Sequence, residues 1–170
     1  MEKKKLSQSP EFWLVLGIIA ATAVIDVLVW TRKIVVHAVV LGPLFIHHWF
    51  SITGVTFVAV FTPLYYLLKR RYPKSYRILS KVHVFGNLGA FTLITVHFSH
   101  HMGRPEETAA EGLTGIALFV LMSALVLTGF LLKFQLLRKY LKLIRFVHVS
   151  IITSFYVIIF FHVLRGLGYI

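Results

Sequence analysis

Four of the nine histidines form two pairs with one spacing: His83 and His97 in one apolar run, His148 and His162 in another, fourteen residues apart in each case. An α-helix turns about 100° per residue, so fourteen steps come within roughly 40° of closing and each pair shares a helix face. At 1.5 Å per residue the two members are about 21 Å apart, most of the thickness of a bilayer's hydrocarbon. Two parallel helices with this pattern offer two facing imidazole pairs, one near each membrane surface. Imidazoles above and below a porphyrin complete a six-coordinate iron and leave no axial position for a substrate. The chemistry this spacing points to is electron transfer between two haems stacked across a membrane.

The elements that must position these residues follow from composition. Of 170 residues, 58% are hydrophobic and 14% charged, whereas charged residues make up about a quarter of a soluble domain. Runs of about 20 apolar residues predict an all-α polytopic membrane bundle of five helices, at about 12–30, 43–68, 79–101, 113–133 and 146–165, forming a single transmembrane domain over 1–170. The net charge of +12 is placed by topology: fourteen of eighteen basic residues fall before the first span, after the second or after the fourth. The positive-inside rule makes those segments cytoplasmic, with the N-terminus in and the C-terminus out, in a multi-pass protein of the cell membrane. Because the charges occur only between spans, a nucleic-acid-binding patch is excluded. The apolar stretch 31–42 ends in Gly42-Pro43 and is too short to span, so it is expected as a re-entrant or interfacial piece on the outer side.

On this topology the third and fifth helices are parallel. His83 then faces His148 at the cytoplasmic depth, and His97 faces His162 at the outer depth. Cationic partners for haem propionates are Arg77, Lys81 and Arg145 inside, and Arg104 and Arg165 outside. Gly86 and Gly89 follow His83 by three and six positions, where a porphyrin face needs close backbone approach. Thr114-Gly115 and Thr128-Gly129 on the fourth helix are read as marks of close helix packing. The chain has no cysteine, which excludes c-type haem attachment and cysteine-ligated clusters. It also has no dinucleotide fingerprint, so any nicotinamide or flavin chemistry belongs to a partner.

The segment from Tyr76 through His83-Val84-Phe85-Gly86-Asn87-Leu88-Gly89 to His97, with Arg145-Phe146-Val147-His148 through His162-Val163-Leu164-Arg165, resembles the di-haem core of membrane b-type cytochromes. Two groups share that core: cytochrome b of quinol-oxidising complexes, and the ferric-reductase-like transmembrane domain. Two helices before the first histidine helix match the second group better. The chain differs from it in having five spans and no cytosolic dehydrogenase. The resemblance implies two haems b and transmembrane electron transfer, by a cytochrome subunit exchanging electrons with other membrane redox subunits, quinol or a cytosolic reductase. The alternative form is a stand-alone ferric-reductase-like oxidoreductase.

The remaining histidines, His37, His47, His48, His100 and His101, fall on the outer side together with Asp26. They form a candidate second site able to bind a metal, relay protons or line a quinol site. His97-Phe98-Ser99-His100-His101 has the H-x-x-H-H form of membrane di-iron desaturases, and imidazole suits iron, zinc and copper. A histidine-rich metal protein without haem is therefore the competing class.

Overall fold

The computed structural model describes residues 9–103, 112–166 and 168–169. The fold is all-α, with five helices long and apolar enough to cross a membrane. These are α1 (Pro10–Trp30), α2 (Ile46–Arg71), α3 (Tyr76–Met102), α4 (Gly112–Lys133) and α5 (Leu141–Gly166). The chain divides into two compact units, Met1–His100 and His101–Ile170. The division falls in the last turn of α3, which is described whole with the first unit.

Helix boundaries differ from expectation at several ends: α5 starts five residues earlier than expected, α3 three residues earlier, and α2 three residues later. Residues 43–45, expected inside that helix, belong instead to a hairpin in which β1 (Val40–Leu41) pairs antiparallel with β2 (Leu44–Phe45). Gly42 makes the reversal at φ +63°, a backbone region that other residues enter at a cost. Trp49 donates its indole N–H to the Leu41 carbonyl at 2.8 Å and ties the hairpin to the first turn of α2. Apolar residues 31–45 therefore satisfy backbone groups locally, through this hairpin and a 3₁₀ turn at Val36–Ala38, without forming another span. The other end of α2 runs through Pro63 to the basic stretch Lys69-Arg70-Arg71.

In the first unit α2 and α3 pack antiparallel through glycines. A side chain on Gly54 would meet the Ala90 carbonyl at 2.9 Å, and one on Gly86 would run into the Phe57 ring. Backbones that approach this closely need small residues, as is usual between membrane helices. α1 joins α3 through polar groups: Thr22 and Thr92 hydroxyls lie 2.7 Å apart, and Asp26 hydrogen-bonds Thr95 and Ser99. Thr22, Thr95 and Ser99 are buried, so these contacts satisfy hydroxyls that lipid could not. In the second unit α4 and α5 form an antiparallel hairpin through the turn 134–137 and the 3₁₀ turn Arg138–Tyr140.

Candidate functional site

The α4–α5 hairpin holds both histidines of the second pair in the same way. The Thr128 hydroxyl lies 2.7 Å from His148 Nδ1, and the Thr114 hydroxyl lies 2.9 Å from His162 Nδ1. Thr114 and Thr128 are themselves fourteen residues apart. On antiparallel helices, a step of fourteen down one is matched by fourteen up the other, so both contacts form in one register. Gly129 adds room: a Cβ there would touch His148 Cε1 at 3.5 Å. A hydroxyl on one ring nitrogen holds the imidazole's plane, which is how outer partners orient metal-binding histidines. The sequence reading noted both Thr-Gly dipeptides but not this role. The signal that reveals it is the shared spacing read against an antiparallel turn.

The first pair is held differently. His83 stacks on Tyr65 of α2, ring centroids 4.3 Å apart and planes within 13°. Its Nδ1 is 3.1 Å from the amide nitrogen of Asn87, which also lies 2.6 Å from the His83 carbonyl. An amide N–H donating to Nδ1 leaves the imidazole hydrogen on Nε2. Neither Tyr65 nor Asn87 stood out in the sequence, because Tyr65 is brought to His83 by the α2–α3 register alone.

His97 lies fourteen residues up the same helix in a group of histidines. Its ring centroid is 5.7 Å from both His47 and His48, while His47 is 4.2 Å from His48 and from His100. His47, His97 and His101 each bring one ring nitrogen within 4.8 Å of the others. His97 and His101 are separated by one helical turn and share a face of α3, and His47 reaches them from the start of α2. His47 and His100 are buried. Thus His47, His48, His100 and His101 of the expected outer cluster come together, and His97 joins them. Asp26 is engaged by Thr95 and Ser99. The side chain of His37 and the whole of Arg104 lie outside the described residues.

The remaining candidates have plain surroundings. Arg77, Arg145 and Arg165 are exposed. Lys81 makes an ion pair with Glu11 at 3.1 Å, so it already has an anionic partner. At Gly86 the face expected to clear a porphyrin is filled by Phe57, whereas at Gly89 nothing lies within 4 Å of a Cβ.

The donor set fits haem iron in type, with four imidazoles inside apolar helices. It fits best at His148 and His162, where a hydroxyl engages Nδ1. At His83 the Asn87 amide favours the other tautomer, so coordination there requires that hydrogen bond to be exchanged. No family model matches the chain, and neither curated proteins nor solved structures give a match.

Proposed function

We propose that this chain is a transmembrane electron conduit of the b-type cytochrome class, binding two haems b through His83 with His148 and His97 with His162. The observation that carries this reading is the repeated threonine–histidine contact on α4 and α5. Two imidazoles within a membrane span, each oriented through Nδ1 by a hydroxyl, are ligands in waiting rather than helix-packing residues. Haem, when bound, supplies a carrier that takes up and releases one electron at a time. The chain's own work is to hold the imidazoles, exclude water through its apolar spans and offer cations at the helix ends. Arg77 and Arg145 serve one haem's propionates, and Arg165 serves the other's.

The role is that of a membrane cytochrome subunit in the cell membrane, N-terminus inside and C-terminus outside. Its partners are other membrane redox subunits, quinol or a cytosolic reductase. A dithionite-reduced-minus-oxidised spectrum of the purified protein in detergent, with haem quantified per chain, tests this. Two low-spin haems b per chain that do not bind carbon monoxide are expected. A folded preparation from cells supplied with haem, yet containing none, overturns the reading.

One observation favours a second reading. His47, His97 and His101 form a group with the spacing of a transition-metal site. Elemental analysis of the same preparation separates the two, since a haem-free protein retaining zinc, copper or iron belongs to this class.

A further inference from the structure

The tautomer of His148 can be worked out from the atoms around Thr128. A threonine hydroxyl has one hydrogen to give and two lone pairs to receive with. Thr128 Oγ1 lies 2.7 Å from the Ala124 carbonyl of its own helix and 3.2 Å from the Leu125 carbonyl. A carbonyl can only accept, so the single hydroxyl hydrogen is committed to Ala124. The same oxygen lies 2.7 Å from His148 Nδ1. With its hydrogen spent on the helix, the oxygen can meet Nδ1 only as an acceptor, and the imidazole must supply the proton. A neutral imidazole with hydrogen on Nδ1 carries its lone pair on Nε2.

We propose that Thr128 is a positioning residue that locks His148 in the Nδ1–H tautomer and so turns its Nε2 into an electron-pair donor. The Thr114–His162 contact repeats the same atoms at 2.9 Å, one fourteen-residue interval along both helices. The sequence repeats the unit too, because each threonine is followed by a glycine. A Cβ added at Gly129 would meet the edge of the His148 ring at ordinary van der Waals distance. In lipid the arrangement is also cheap, since it satisfies a hydroxyl and a ring N–H that would otherwise be stranded. The identity of the ligand that Nε2 receives rests on the haem reading above, whereas the tautomer does not.

The test is ¹⁵N NMR of histidine-labelled full-length protein in detergent, at mildly alkaline pH where imidazole is neutral, from cells grown with and without haem supply. His148→Gln and His162→Gln assign the signals. In haem-free protein Nδ1 of His148 should be protonated and its Nε2 unprotonated. Thr128→Val, which keeps the shape and removes the hydroxyl, should release His148 alone from that tautomer. Thr114→Val should leave the His148 signals unchanged, and Thr128→Ser should restore the wild-type pattern. In haem-loaded protein Thr128→Val should weaken retention of one haem about 10–100-fold, the usual effect of losing an outer-shell partner, and should alter the electron paramagnetic resonance signal of that haem only.

Protonation of His148 on Nε2 in the wild type overturns the proposal, as does a Thr128→Val protein with unchanged His148 signals. Nδ1–H at His148 in a protein that takes up no haem overturns the conduit but leaves the positioning role standing.

Discussion

The two histidine pairs share a spacing and differ in everything that surrounds them. On α5 each imidazole meets one hydroxyl from α4, with the second contact repeating the first. On α3 one imidazole lies under a tyrosine ring beside an amide, and the other lies among further histidines. The difference is one of degrees of freedom. A hydroxyl whose own hydrogen is committed dictates which ring nitrogen is protonated. At His83 the aromatic stack fixes the plane of the ring, and the Asn87 amide on Nδ1 leaves the hydrogen on Nε2. A group of imidazoles fixes neither, since its members can exchange protons or share a metal. His148 is therefore oriented by a neighbouring helix, whereas His83 takes its partner amide from its own helix and His97 lies among other imidazoles.

The largest expected effect breaks the comparison outright. If both pairs serve haem, His83→Ala and His148→Ala each remove one haem, the same one, and His97→Ala and His162→Ala each remove the other. Pyridine haemochrome assay with redox titration of the four variants checks this, and unchanged haem content in all of them would refute the ligand set. His47→Ala sharpens the contrast within α3. It should leave both haem spectra intact, and a lost haem would place His47 on iron.

Packing effects come next. Gly86→Ala drives a methyl group into Phe57, and overpacking of this kind costs about 1–3 kcal/mol. Thermal unfolding in detergent should show the loss, and the Gly86→Ala, Phe57→Ala double variant should recover part of it. Gly89→Ala meets nothing within 4 Å and should leave stability unchanged, so a destabilised Gly89→Ala protein would mean that this face is closed. The smallest effect is at the Glu11–Lys81 pair, whose side chains are 34% and 51% exposed. Glu11→Gln should cost no more than about 1 kcal/mol, as for other exposed pairs, and the loss should shrink in high salt.

Much of this was legible because a bilayer simplifies the code. Uninterrupted apolar length and the basic residues between runs give five spans, and five helices are observed among the described residues, one for each. The start of α2 was misplaced by three residues, because an apolar run does not reveal whether Gly42-Pro43 opens a helix or turns a hairpin. His47, His48, His100 and His101 were recognisable as a group, since they stand at helix ends that antiparallel packing of α2 and α3 brings together, whereas the place of His97 among them was not foreseen. Lys81 looked like an available cation, yet Glu11, seventy residues away in sequence, occupies it.

By itself, then, the sequence determined the number of spans, the matched fourteen-residue spacing and the absence of cysteine chemistry. These are properties of one helix at a time, or of composition, and the fixed pitch of the α-helix makes them readable. The tertiary structure decided which atom each imidazole meets: Thr128 and Thr114 for α5, Tyr65 for His83, His47 and His48 for His97. Those partners depend on the register between neighbouring helices. Small residues such as Gly54 and Gly86 set that register by where they let two backbones touch, and no period within a single helix encodes it.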